Sequence, residues 1–557
     1  MDTPSNALKN KMRGGTDPRA KPALWLGLGL LLLLEFLVFD KIGSRHQSWV
    51  YPRWNDQIQY LSESYYGFEH TKTVGLATGL REALVNPSAQ GTLHDFWAIL
   101  LFWFVGPSRS AALSLNMLAF LAWQVAVFAL ALRQTKSKSA AFVAAALLLT
   151  LRSGWADEPG SAFDFRLDWF AVCTMGIALA AAENTDRFQR LGGAILFGLA
   201  TALVLLTRFL TGTYFFLIYL AFATWVLAAP ENRVRRLVNL LISALIAFAV
   251  AGPIFWINRR IVFDYYLIGH FTGPESALRS PNMGLRRSAD WLFSHVQSMH
   301  VGTVYPWLWA IALVAASVGL LIRPASPREK NFRFVPRYPA LFPALVFFIA
   351  PAIILILHRQ KSEYVLGIMI PGLAAAAWLL LQRFLVPCGS RTRAYIAAGV
   401  VSLCFGCFFV TMKHDPHSGE FTASARHVAT LADYIAKRSA RAKLEHPRVA
   451  VDRVTDCLDA QVLRVICYER QHRWIPFIMT LPTGIEAQDP ALYWERLHHS
   501  DFVFLTEEGD AGAWPYDHQL ASLRAETNAW AESNLKLVDE IAFPGLRMAL
   551  FERPDLP

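Results

Sequence analysis

Apolar residues come in runs of about 17 to 22 along this chain, separated by short polar stretches that are mostly basic; runs of that length match a bilayer core. They fall at 23–39, 111–132, 139–152, 168–183, 191–207, 211–229, 237–257, 304–322, 340–357, 364–382 and 394–412, which predicts about eleven transmembrane helices. Two are weaker: 139–152 is short for a core about 30 Å thick, and 191–229 is divided only at Thr207 and Arg208. The first run follows Lys9, Lys11, Arg13, Arg19 and Lys21, as in a signal peptide, but it ends in Glu35 and Asp40 with no small-residue cleavage site after it. It reads as an uncleaved span with a cytoplasmic N-terminus.

With that start, the predicted inside segments hold 21 Lys/Arg and the short outside connections only five: Arg152, Arg166, Arg208, Arg359 and Lys361. This is the positive-inside bias, and an odd span count puts the tail outside. The expected organisation is a cytoplasmic tail at 1–22, a membrane region at 23–412 with long outside loops at 40–110 and 258–303, and an outside domain at 413–557. Within the first loop, apolar runs at 75–85 and 96–105 are too short to span and predict interfacial helices roofing a cavity. In the tail, a helical stretch at 421–438, strand-like 448–451 and 501–505, and an alternating segment at 535–551 turning at Pro544 and Gly545 predict a small α/β domain ending in a β-hairpin.

Composition sharpens this picture. Apolar residues make up 54% of the 557 and charged residues 17%, against about 25% charged in ordinary soluble domains, which excludes a soluble enzyme. The net charge of +10 is uneven: 413–557 carries 16 Lys/Arg against 22 Asp/Glu, so 1–412 carries +16. That excess lies beside spans, and no basic-aromatic motif accompanies it, so no nucleic-acid partner is expected. Cys457 and Cys467 fall in the outside domain, where oxidation permits a disulfide. Cys404 and Cys407 form a Cys-x-x-Cys inside an apolar run with no second ligand pair, which argues against a metal site.

Chemistry is to be sought where polar groups meet the outer span ends, because ionisable side chains at membrane depth are costly without a cavity or partner. Asp56, among aromatics in the first loop, suits a general base, although on local composition alone a helix N-cap or a solvated loop acid explains it better. Asp157, Glu158, Asp164 and Asp168 are four acids in one short loop, more than capping alone requires. They suit sugar hydroxyls or a divalent cation, though no spacing fixes a metal. The knot from His358 to Tyr364 sets Arg359 and Lys361 against the positive-inside trend, which favours an anionic lipid phosphate over snorkelling alone. The stretch 256–275, with Arg259, Arg260, Asp264, Tyr265, Tyr266 and His270, is either a substrate clamp or an amphipathic surface helix.

Together these features resemble the GT-C superfamily of membrane glycosyltransferases, in the branch of protein O-mannosyltransferases and lipid A aminoarabinose transferases. Asp56-Gln57-Ile58-Gln59-Tyr60 is similar to that branch's Asp-Glu-x-x-Tyr loop motif, with Gln57 in place of Glu. His94-Asp95-Phe96 through Gly106 loosely resembles its His/Lys-Pro-Pro-Leu interfacial helix, without the prolines. Asp168 resembles an Asp opening a mid-chain span, Thr207-Arg208-Phe209-Leu210-Thr211-Gly212 a Thr-Lys-x-x-Gly element, and Lys361 to Pro371 a Lys-x-x-Tyr…Pro run.

The resemblance implies a polyprenyl-phosphate-linked monosaccharide donor and a lipid, glycan or protein acceptor at the outer face of a bacterial-type inner membrane. By the same carry-over Asp56 is the base; Tyr60, Asp164, Asp168 and His270 bind substrate; and Arg208, Lys361 and Tyr364 bind the lipid phosphate. With Gln57 for Glu, a metal-independent reaction is expected. The runner-up is a transporter or flippase of a lipid-linked or anionic solute, against which stands the lack of two related halves. A phosphoryl transferase would want a nucleophile beside a His/Asp metal cluster in the tail, and no such pattern is present.

Overall fold

The computed structural model describes residues 20–42, 55–156, 160–229, 231–272, 283–302, 306–307, 310, 341–358, 361–385, 389–413, 419–453, 455, 458–472, 474–475, 477–479, 489–509 and 515–556. Most of the run 304–322, and Asp157, Glu158, Arg359 and Cys457, lie outside these. The other ten apolar runs are helical: α1 (Ala20–Ile42), α5 (Arg109–Thr135), α6 (Lys138–Leu147), α7 (Leu167–Asn184), α8 (Leu191–Thr207), α9 (Thr211–Leu227), α10 (Arg233–Phe263), α12 (Leu341–Leu357), α13 (Ile370–Leu385) and α14 (Ser390–Lys413). Among the described residues, four stretches, Arg109–Thr135, Arg233–Thr272, Glu363–Gln382 and Ser390–Phe409, are long and apolar enough to cross a membrane. The run at 364–382 is divided, because Pro371 lacks the N–H that an internal α-turn needs. Glu363–Met369 is therefore 3-10 helix, and α13 restarts with the proline in its first turn.

Between α1 and α5, the first loop folds into α2 (Asn55–Val74), α3 (Leu76–Val85) and α4 (Leu93–Val105). The segment expected as a long loop at 258–303 is largely helical where described, in keeping with the amphipathic-helix alternative for 256–275. Residues 254–268 hold no Gly or Pro to stop a helix, so α10 continues through a π-helical segment, Asp264–Thr272, before α11 (Gly284–His295). Asp264 to His270 thus belong to the extended end of a long helix.

Helices pack closely through small residues, as membrane bundles do when lipid offers no hydrophobic drive for association. Gly198 of α8 is one such point, since a Cβ there would lie 2.5 Å from the Ser243 carbonyl oxygen of α10. Charged residues of the predicted inside loops gather at one end of the bundle. Arg133 donates to the Glu183 and Asn184 carbonyls at the C-terminal end of α7 (3.3 and 3.4 Å), and Arg236 to the Arg187 carbonyl at 2.7 Å. Cations there satisfy carbonyls that a helix end leaves open and complement its dipole.

The tail holds α15 (Gly419–Arg441), α16 (Ala460–Gln471), α17 (Pro490–His498) and α18 (Pro515–Asn534) around a five-stranded sheet ordered β2-β1-β3-β5-β4. Its strands are β1 (Arg448–Val451), β2 (Ile478–Met479), β3 (Phe502–Gly509), β4 (Lys536–Phe543) and β5 (Leu546–Glu552). β1 pairs in parallel with β2 and β3; β5 pairs antiparallel with β3 and β4. Successive side chains alternate between faces. Val449, Phe502, Phe504, Met548 and Leu550 join the core containing α15 and α16, while Ala450, Val503, Leu505, Ala549 and Phe551 meet Tyr493, Leu497 and Ala531 of α17 and α18. The hairpin turn falls at Pro544 and Gly545.

Helix α16 docks on α2. Glu469 takes Arg109 Nε on both oxygens (3.0 and 3.1 Å) and the Tyr65 hydroxyl at 2.8 Å, and Tyr65 and Tyr468 rings sit 5.1 Å apart. Tyr468 donates to Glu69 as well. Losing water around these rings pushes both tyrosine hydroxyls above their ordinary pKa, so they act as donors to carboxylates at any physiological pH.

Candidate active site at the loop-rich end of the bundle

The predicted outside segments meet at the other end of the bundle. In the loop before α7, Asp164 folds the chain around itself: Oδ2 accepts the Gly160 N–H at 2.6 Å and Oδ1 the Arg166 N–H at 3.1 Å. Asn116 of α5 donates to the Ala162 and Asp164 carbonyls (3.2 and 2.8 Å). Gly160 has φ +76°, and a Cβ there would lie 2.7 Å from Tyr364 Cα, so backbone meets backbone where only glycine fits. The Arg166 guanidinium lies 3.5 Å from Asp164 and stacks over the Tyr364 ring, 4.4 Å from its centre.

Asp168, in the first turn of α7, forms an ion pair with Arg208, the residue that ends α8 in extended backbone. Both are buried, at 4% and 7% exposure, so each is the other's compensation for leaving water. The first loop is sewn to this junction through its backbone. The Thr92 N–H donates to the Leu206 carbonyl (2.9 Å), the Phe209 N–H to that of Gln90 (2.7 Å), and the Ser88 N–H to Asn258 Oδ1 (2.8 Å). Gln90 Nε2 reaches the Tyr265 hydroxyl at 3.0 Å.

Beside the pair is a narrow cavity of about 20 Å³, bordered by Arg208, Tyr265, Tyr266, His270, His358 and Tyr364. His270 Nδ1 lies 3.3 Å from His358 Nε2, and the Tyr266 hydroxyl is buried with no hydrogen-bond partner among the described residues. Tyr60 lies near Arg208, and its ring sits 6.4 Å from that of His94. His94 packs against Phe165 at 4.5 Å; burial lowers its pKa to about 3, so the ring is neutral.

Of the residues singled out from the sequence, Arg208, His270 and Tyr364 border one cavity, with Asp168 and Tyr60 beside Arg208. Asp164 is committed to shaping its loop. Lys361 takes a different role: its ammonium donates to the carbonyls of Leu355, Ile356 and His358 (3.0, 3.0 and 2.6 Å), closing the C-terminal end of α12. Asp56 lies in the first turn of α2, and its side chain lies outside the described residues. Sequence reasoning left Tyr265, Tyr266 and His358 as members of clusters without a role, and missed Gln90 and Asn258, whose partners are far along the chain. It also missed a second, larger cavity of about 480 Å³ between α2, α3, α4 and the tail, bordered by Glu63, Asp95, Arg464 and Trp474 among others.

The structure is thus a helical bundle with polar loops and an α/β tail gathered at one end. Among solved structures, the chain is similar to the crystal structure of ArnT from Cupriavidus metallidurans bound to undecaprenyl phosphate, with a TM-score of 0.60, 14% identity, and coverage of 95% of this chain and 99% of that one. Its apo crystal structure is similar too, with a TM-score of 0.57, 14% identity, and coverage of 94% and 98%. No protein-family model and no curated protein sequence matches the chain; the likeness is one of fold.

Proposed function

We propose that this protein is an integral membrane glycosyltransferase. It transfers a monosaccharide from a polyprenyl-phosphate-linked donor to an acceptor hydroxyl at the outer face, where the tail also resides. The observation that carries this reading is the end-to-end likeness of fold to a protein crystallised with undecaprenyl phosphate, combined with a buried arginine among tyrosines and histidines at the loop-rich end.

In this reading the acceptor oxygen attacks the anomeric carbon as its proton passes to Asp56, and the bond from that carbon to the phosphate oxygen breaks, releasing polyprenyl phosphate. Arg208, with the Tyr266 hydroxyl and His270 beside it, stabilises the charge gathering on the departing phosphate. Asp168 keeps the guanidinium in place before the donor arrives, and Tyr364 holds Arg166 and the 160–168 loop against the site.

The test is consumption of radiolabelled polyprenyl-phosphate sugars, offered as a panel to the purified protein in lipid. Turnover that Asp56→Asn abolishes, with donor binding intact, supports the enzyme and its base together. Donor binding with vectorial movement and no bond cleavage would replace this reading with transport.

A further inference from the structure

The larger cavity lies away from the Arg208 cluster and has the opposite electrostatic character. Three carboxyl groups border it, Glu63 from α2, Glu82 from α3 and Asp95 from α4, against one guanidinium, Arg464 of the tail. Two of the Arg464 nitrogens are engaged, one donating to the Phe477 carbonyl and one reaching Ser62 Oγ at 3.5 Å, while its Nε has no partner among the described residues. A phosphate or other polyanion is therefore a poor occupant. One wall is aromatic, with Tyr66 and Trp474 rings 5.7 Å apart and inclined at 52°.

Among the described residues, each carboxyl group is held by one side chain through a single oxygen. Gln59 Nε2 lies 2.8 Å from Glu63 Oε1, Ser64 Oγ 2.8 Å from Asp95 Oδ1, and His70 Nε2 2.6 Å from Glu82 Oε2. The second oxygens remain as acceptors for donors entering the cavity. Carboxylate oxygens opposite flat aromatic faces match a pyranose ring, which presents a rim of hydroxyl donors and a face of C–H groups with partial positive charge. A volume of about 480 Å³ is in the range of small-ligand sites. A basic peptide would also meet the carboxylates, but an extended chain takes much of its affinity from an open strand edge, and the cavity's described walls are helical apart from Asn86 and Trp474.

We propose that this cavity binds a saccharide unit of the acceptor, its ring face on Trp474 and its hydroxyls on Glu63 and Asp95. Saccharide binding stands on the cavity alone; its role as acceptor rests on the glycosyltransferase reading. Glu63 follows Asp56 by seven residues in the same helix, about 10 Å along the axis. One element thus links the acceptor pocket to the proposed base.

The experiment is saturation-transfer NMR on the full chain in lipid discs prepared without glycoside detergents. The probes are methyl glycosides and disaccharides of glucose, galactose, mannose and N-acetylglucosamine, with tetralysine alongside. At least one saccharide is expected to bind, with Kd rising about tenfold or more in Trp474→Ala and in Glu63→Gln. Trp474→Phe should restore most of the affinity, while the melting temperature and the binding of undecaprenyl phosphate stay unchanged. The proposal is overturned if no saccharide binds, if binding ignores both substitutions, or if tetralysine alone binds. Failure of the glycosyltransferase reading looks different: wild-type protein binds the saccharide at this cavity and consumes no donor.

Discussion

Arg208 and Asp168 show how far a residue type carries an argument and where it stops. Their positions at the polar ends of spans marked them as functional, but their pairing is invisible in sequence because 40 residues separate them. Each buried charge is tolerable only with the other. Removing one alone, as in Arg208→Ala, is expected to cost about 3–5 kcal/mol, read as a lower melting temperature in detergent. Combining Asp168→Leu with Arg208→Met should recover most of that stability without recovering donor binding, separating the structural half of the pair from its proposed chemistry.

Asp95 gives a pH-dependent case. Burial at the cavity wall, then the nearby Glu63 carboxylate, raises its pKa from 3.8 to about 7, while the Ser64 hydrogen bond opposes the shift. A carboxyl group that holds its proton more tightly when folded contributes stability below about pH 4 and loses it as pH rises through 7. Asp95→Asn is therefore expected to raise the melting temperature at pH 8, by the equivalent of at most roughly 4 kcal/mol, and to leave it unchanged at pH 4.

At the scale of elements, the helices were legible because apolar runs of membrane length leave few alternatives; α5, α7 and α8 begin and end within a few residues of their predicted bounds. The extension of α10 was legible as one of the two alternatives for 256–275, an amphipathic helix, but not as an unbroken continuation of the span when the missing helix breaker at 254–268 is overlooked. Of the candidate site, the span-end residues were legible and the larger cavity was not. Ser62 and Arg464 meet across 402 positions, and no local pattern records such a contact. Glu469, which ties α16 to α2 and to Arg109, is hidden for the same reason. Glu469→Ala should leave the guanidinium of Arg109 and the Tyr65 hydroxyl without their carboxylate at a cost of about 2 kcal/mol. Hydrogen exchange in α2 should quicken measurably while that in α7 and α8 does not.

For the whole molecule, two sets of connections lie at opposite ends of one bundle, the basic one beside Arg133 and Arg236, the one proposed to be functional beside Arg208. The positive-inside rule then predicts an orientation, with the Arg133 end expected to face the cytoplasm and the tail expected to face out. Single cysteines at exposed positions 136 and 533 test this directly. An impermeant maleimide should label Ser533→Cys in spheroplasts and label Lys136→Cys only after lysis; the reverse pattern would invert the topology and remove the outer-face reaction with it.

Gly160 carries a consequence for descent. Its left-handed backbone and the Tyr364 main chain leave no room for a Cβ, so the position has no single-step neighbour in sequence space that keeps the loop. A lineage that replaced it would have had to rebuild the 363–369 turn at the same time. Diverged relatives that share this fold but little sequence should retain glycine here even where Gln57, the interfacial helix and the tail have drifted, and an exception would mark a branch whose active-site floor was laid anew.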